Sequence, residues 1–234
     1  MFNVTNLKSP RIFSYKKRVN SNRYKFKVDK KCFINRDYEN YYQFIKENSN
    51  PLVVELDSVE GKKGYSVLLT VHFVDCSLML AFKRERNTAR SVIDIFNELQ
   101  DELGIVDFKK LFPVILTDRG KEFTNPTEIE LSPDGQIRTN IFYCDPMCSW
   151  QKGECEVNHE LIRRIVPKGK TFDAFSQPQI NLMMNHINSY TRKKLGNRTP
   201  YEVFKEIYGL EIIKKLGINF IQADEVTLKP SLLK

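Results

Sequence analysis

The stretch PLVVELDSVEGKKGYSVLLTVHFVDCSLMLAFKRE, residues 51–85, decides how the rest of the chain is read. Its β-branched runs PLVVELDSV, YSVLLTVHFVD and SLMLAFKRE are each strand-like, and Gly61 and Gly64 punctuate the first turn. Three strands so closely spaced predict a meander. Downstream the period changes: Ala89, Val92, Ile93, Phe96, Leu99 and Leu103 recur at spacings of three and four. With Asn87 or Thr88 to cap the start and Gly104 after the end, this predicts a helix laid on the sheet. FPVILTD reads as a short buried strand followed by a turn, in which Gly120 is expected to take a positive φ and Lys121 and Glu122 to be exposed. RTNIFYCD reads as a further strand. Helices are expected from about Glu154 to Val166 and from Pro178 to Leu195, the second burying Ile180, Met183, Met184, Ile187 and Tyr190. Thr199 and Glu202 form a capping box, with Pro200 at the first helical position, and open a last helix that ends near Gly209. Upstream, DYENYYQFIKEN predicts a short helix that Asn48, Ser49, Asn50 and Pro51 break. The alternation implies a layered α/β fold, a sheet covered by helices.

The 234 residues suffice for one sizeable core with appendages. A mean hydropathy of -0.43 and the lack of any run near the ~20 apolar residues of a spanning helix argue against a membrane protein. The first residues, MFNVTNLKSPRIF, lack the pattern of a secretory signal, so a cytoplasmic location is expected. Five cysteines, an odd number in a chain of this size, speak for reduced thiols rather than a disulfide framework.

Charge is concentrated at one end. Residues 1–31 hold ten Lys or Arg against the single acid Asp29, a net charge of +9, while the remainder carries -1. Lys16, Lys17, Arg18, Arg23, Lys25 and Lys27 alternate with Tyr15, Tyr24 and Phe26. Cations near a polyanion release its counterions and the aromatics can stack, so nucleic acid is the natural partner; a solvated tail is the blander reading. By pattern the chain divides into a basic, DNA-contacting arm and linker at 1–50, a folded core at 51–209 and a C-terminal tail at 210–234.

Two acids stand at strand ends, Asp57 and, 61 positions on, Asp118; Glu156 follows 38 positions later near the start of a helix. Phosphodiester chemistry by two metal ions needs such convergence, because Mg²⁺ takes hard oxygen ligands and the two ions sit roughly 3.5–4 Å apart. At 100° per residue, Val157, Leu161, Ile162 and Ile165 mark a buried side and Glu156, Glu160 and Arg163 the opposite one. This favours Glu156 over Glu154 and leaves Glu160 open.

LDSVEG, TDRGKEF, DPMCSWQKGECEVNHELIRRIVPKG and NSYTRKKLGNRTPYEVF resemble, in order, the motifs of DDE transposases of the insertion sequence thirty family, relatives of retroviral integrases. The resemblance spans about residues 51–209. It implies an RNase H-like, retroviral integrase-type mixed sheet flanked by helices, and two Mg²⁺ or Mn²⁺ ions held by Asp57, Asp118 and Glu156. It also implies cutting and joining of transposon ends by hydrolysis and transesterification. The partners would be terminal inverted repeats and target DNA, with homo-oligomers assembled on DNA in a bacterial, nucleoid-associated setting. The family's third carboxylate stands three residues after the helix-motif glycine, and Glu156 stands three after Gly153. Where the family has Asn-Glu-Asn, this chain has Cys155, Glu156 and Val157, and residues 1–50 show no counterpart of the family's helix-turn-helix region.

Around the acids, His159 and Glu160 are candidates to touch the scissile phosphate or a metal-holding carboxylate, and Arg163, Arg164 and Lys168 to contact DNA phosphates. Trp150 reads as a packing anchor. The run C-x3-C-x6-C-x3-H from Cys144 to His159 offers ligand types that zinc accepts. Two other functions compete with the transposase: a truncated, non-catalytic DNA-binding remnant, and an RNase H-like nuclease acting on RNA–DNA hybrids.

Overall fold

A computed structural model describes residues 30–234. The basic positions Lys16, Lys17, Arg18, Arg23, Lys25 and Lys27 lie outside the described residues. A five-stranded sheet in the order β3-β2-β1-β4-β5 is built from β1 (Val53–Glu60), β2 (Val67–Phe73), β3 (Leu78–Arg84), β4 (Val114–Thr117) and β5 (Asn140–Tyr143). The first three pair antiparallel as the expected meander, and β4 and β5 run parallel to β1. Among the described residues, eight α-helices flank the sheet: α1 (Tyr38–Glu47), α2 (Ala89–Leu103), α3 (Ile105–Leu111), α4 (Pro126–Glu130), α5 (Glu154–Ile165), α6 (Gln177–Asn188), α7 (Pro200–Tyr208) and α8 (Leu210–Lys215). The mixed sheet with flanking helices is the RNase H-like arrangement that the motifs imply.

Strand alternation divides the buried side chains between two faces. Val54, Leu56, Leu69, Val71, Phe73 and Ile115 point to one face and form the main core with residues of α2, α3, α7 and α8. Val59, Leu68, Met79 and Ala81 point to the other, against α5, α6 and Leu233. On that second face, Val114, Leu116 and Phe142 meet Tyr38, Tyr41, Phe44 and Ile45 of α1. Helix α1 and residues 210–233 therefore pack on the sheet and its helices, although they fall outside the 51–209 pattern.

Several elements follow their sequence signals closely. Thr88 caps α2, whose end is marked by Gly104, and Thr199 and Glu202 form the reciprocal capping box of α7. Others differ. Helix α6 stops at Asn188 rather than Leu195, because the chain turns back through an Arg192–Arg198 bridge and a left-handed Gly196; Tyr190 is consequently exposed. The buried stripe of α5 is Cys155, Asn158, Leu161, Ile162 and Ile165, and Val157 is exposed. The stripe turns on Asn158, a polar residue whose amide donates to Ser77 O and accepts from Arg192, an inward role that hydrophobic periodicity does not register.

Candidate active site

Sheet register brings the first two acids together. Strand β1 pairs with β4 from Val53↔Val114 to Leu56↔Thr117, so Asp57 and Asp118 are the next residues of two adjacent parallel strands. Asp57 lies inside β1 rather than at its end; what ends there is β4, and β1 continues alone against β2. Glu156, exposed on the first turn of α5, lines the same cleft of about 260 Å³ as both aspartates. Glu154 is turned away to pair with Lys194, and Glu160 lies with His159, Arg163 and Arg164 on the adjoining surface.

A cation already sits between the aspartates. The ammonium of Lys152, just before α5, donates to Leu56 O at 2.8 Å and lies 3.3 Å from Asp57 Oδ2 and 3.9 Å from Asp118 Oδ2. Its side chain is 8% exposed. Burial works to discharge it, but the charges of Asp57 and Asp118 outweigh that and hold its pKa above the ordinary lysine value. Partial desolvation at the cleft raises Asp118, Lys152 opposes the rise and Asp57 adds to it. Two adjacent carboxylates sharing one positive charge, with a third carboxylate on the same cleft, offer an all-oxygen donor set of the kind that hard divalent cations take.

The glycine after Asp118 serves this geometry differently from expectation. Gly120 has φ -61°, an extended conformation open to any residue. Its amide donates to Asp118 Oδ1 at 2.9 Å, and a Cβ there would stand 2.9 Å from Asp118 Oδ1 and 2.8 Å from Glu122 Oε2. Close approach, not a left-handed turn, calls for glycine. Glu122 is buried, not exposed, because Asn87 donates to its carboxylate at 3.0 Å.

Helix α5 is held to β1 by groups whose role is hard to see in sequence. Gly153 supplies no side-chain cap; instead the Cys155 amide donates to Glu55 Oε2 at 3.0 Å, and His72 Nδ1 lies 3.4 Å from the same oxygen. Glu55 and Asp57 are opposite His72 and Thr70 in the β1–β2 register, so four polar side chains share the sheet face under α5. Polar residues at period two within apolar strands, Glu55 with Asp57 and Thr70 with His72, are the signal that marks this face. His159 Nε2 is 2.9 Å from Thr70 Oγ1 and its Nδ1 3.9 Å from Asp57 Oδ2. Burial lowers the imidazole pKa, against the pull of Asp57.

Other expected residues fall out as follows. Arg163 donates to Glu60 O at 2.6 Å, while Arg164 and Lys168 are exposed. Trp150 is 73% exposed, its ring 6.4 Å from that of Tyr38, so it is a surface residue rather than a packing anchor. The four-residue zinc pattern is divided: Cys155 and His159 come together with Asp57, whereas Cys144 and Cys148 line the cleft beside Asp118. Among the described residues no helix is long and apolar enough to cross a membrane.

No protein-family model matches the chain. Over 154 residues, 66% of its length, it is 32% identical to the transposase for insertion sequence element IS4351 of Bacteroides fragilis, of which it covers 44%. Over 168 residues, 72% of its length, it is 30% identical to a putative integrase, ORF3, of Spiroplasma virus SpV1-R8A2 B, of which it covers 50%. A shorter match of 88 residues, 38% of the chain, is 31% identical to the InsI transposase of IS30A from Escherichia coli K12 and covers 22% of it. Among solved structures, the catalytic core domain of BIV integrase aligns with a TM-score of 0.45 and 17% identity, over 68% of this chain and 97% of that one. The chain thus spans half or less of the length of these curated relatives. By sequence it is related to the insertion-sequence transposases, those of IS30 elements among them.

Proposed function

We propose that this chain carries the catalytic core of a DDE transposase, a polynucleotidyl transferase in which Asp57, Asp118 and Glu156 hold two Mg²⁺ or Mn²⁺ ions. The observation that carries this reading is the parallel register that sets Asp57 beside Asp118 around one shared cation position, on the cleft that Glu156 also lines. When bound, such ions lower the pKa of an attacking water and stabilise the leaving 3′ oxygen. The chain's own part is to fix the ligands. Glu55 and Lys152 pin the start of α5 to β1, the Gly120 amide orients Asp118, and the carboxylate charges make the cleft selective for cations.

DNA is the proposed substrate, as transposon ends and then as target. Exposed Arg164 and Lys168, with Arg163 on the adjoining surface, are proposed to contact phosphates that flank the cleft, and His159 and Glu160 stand between them and the carboxylates. The basic residues of 1–31 are proposed as a sequence-independent DNA arm, the 51–209 region as the integrase-type core, and residues 210–234 as its C-terminal flank. Assembly into a homo-oligomer on DNA and action at the bacterial nucleoid belong to the same proposal.

Asp57→Asn tests it. The amide keeps the shape of the carboxylate but loses its charge. Nicking and 3′-end joining in Mg²⁺, on DNA bearing the element's own ends, should be abolished while DNA affinity stays close to parental, since phosphate contacts come from Lys and Arg. Parental activity in the variant would refute the assignment. Cleavage of RNA–DNA hybrid without any joining would identify a nuclease instead, and divalent-independent inertness of the parent a non-catalytic remnant.

A further inference from the structure

The oxygen of Asp57 that faces the Lys152 ammonium, Oδ2, is also faced by a different donor set from α5. Cys155 and His159, one helical turn apart, project from the same side of α5. Cys155 Sγ is 3.9 Å from Asp57 Oδ2, His159 Nδ1 is 3.9 Å from the same oxygen, and the three ligand atoms lie within 4.8 Å of one another. Zinc–ligand bonds of about 2.0–2.3 Å in a tetrahedron separate ligand atoms by about 3.3–3.7 Å. Small rotamer adjustments close the difference.

A second observation concerns the orientation of the imidazole. The Thr70 hydroxyl donates to Asp57 O at 3.2 Å and its oxygen lies 2.9 Å from His159 Nε2, so that the ring is held by its outer nitrogen with Nδ1 on the side of Asp57 Oδ2 and Cys155 Sγ. The Thr70 contact is also of the kind that ligating histidines make through their other nitrogen, where it fixes both tautomer and ring orientation.

We infer that Asp57, Cys155 and His159 form a binding site for one thiophilic divalent ion of the zinc class, with a fourth position open to water. The donor chemistry separates it from the all-carboxylate set: thiolate and imidazole suit zinc and its borderline-soft congeners, whereas Mg²⁺ and Mn²⁺ prefer oxygen. On ligation the Cys155 thiol gives its proton to solvent. Because Asp57 belongs to both sets, an ion here draws that carboxylate away from Asp118. Zinc is therefore an inhibitor of any Mg²⁺-dependent reaction at the cleft. The binding itself does not depend on whether the chain cuts DNA.

Co²⁺, a spectroscopic substitute for Zn²⁺, tests the site without an activity assay. The parental chain should bind one equivalent of Co²⁺ with a thiolate-to-metal charge-transfer band, and Zn²⁺ should displace it. The band should vanish in Cys155→Ser, persist in Asp118→Asn and in Cys148→Ser, and require about 10–100-fold more Co²⁺ in Thr70→Val, which removes the hydroxyl that orients His159. Should Cys155→Ser fail to fold, His159→Gln on the accessible side of the site serves as the second ligand variant and must weaken binding likewise. The inference is overturned if the parental chain shows no thiolate band, or if the band survives Cys155→Ser and is lost in Cys148→Ser. Neither result bears on the three-carboxylate reading, which Asp57→Asn and the nicking assay test separately.

Discussion

Replacing Lys152 by Met removes the one positive charge between Asp57 and Asp118 while keeping most of the buried stem. At 3.3 Å and 3.9 Å the two attractions amount to about 5 and about 4 kcal/mol at an effective dielectric of ~20. Most of this is offset by the desolvation of a side chain that is only 8% exposed, an effect of several kcal/mol, and by solvent reaching the aspartates. A net loss of ~1–3 kcal/mol is expected in metal-free protein, since a paired buried charge has been removed and two carboxylates now face each other. For a chain of this length that lowers the melting temperature by about 2–4 °C per kcal/mol. The sign reverses with metal. Without the competing ammonium, Mn²⁺ should bind about tenfold more tightly, or ~1.4 kcal/mol, and restore much of the lost stability. Thermal unfolding of parent and Lys152→Met in chelator and across a Mn²⁺ titration measures both effects. Equal melting temperatures in chelator, or a metal response no larger than the parent's, would refute the argument that the lysine holds the place of a divalent ion.

Gly120→Ala should leave stability within about 0.5 kcal/mol, because the oxygens its Cβ meets are the ends of side chains that can swing away. The displaced Asp118 carboxylate should nevertheless slow Mg²⁺-dependent nicking by about 10²-fold, read in the same nicking and joining assay as Asp57→Asn. Gly61→Ala is the converse case: its Cβ would come 2.3 Å from the Lys170 carbonyl, a backbone atom, so the denaturant midpoint should fall by the equivalent of about 1–3 kcal/mol. Deleting residues 1–31, with their charge of +9, should weaken DNA binding and flatten its dependence on salt; an unchanged slope would reduce the arm to a solvated tail.

Asp57 and Asp118 could be picked out in the sequence because acids that follow or interrupt apolar β-branched runs have few structural uses. Glu156 followed from helical angle and motif spacing. The supports of these acids were not legible, for identifiable reasons. Lys152 lies in a short connection without apolar periodicity, a single 3-10 turn from Ser149 to Lys152, where a lysine reads as solvated, and only the fold reveals that its ammonium is enclosed by β1 and the Asp118 turn. Glu55 reads as one more acid in a strand until the start of α5 is seen resting on it. Asn158 carries the inward face of α5 although it is polar, and apolar periodicity therefore points to Val157, which is exposed. The positive φ expected of Gly120 is absent, because sequence alone does not distinguish a glycine needed for its φ from one needed for lack of a Cβ.

The Glu55 contact bears on how a chain of this fold can change over time. The start of α5 is fixed by a strand some hundred positions earlier, and by the Lys152 bond to Leu56, rather than by the segment that leads into it. Within the run from Asp145 to Trp150, Pro146, Met147 and Trp150 are exposed, whereas Asp145 is tied to Gln151 and Arg119. Substitutions at those exposed positions should leave the placement of Glu156 unchanged. That leaves an exposed surface at the mouth of the cleft which, on the proposed function, is where a preference for particular flanking DNA could be altered.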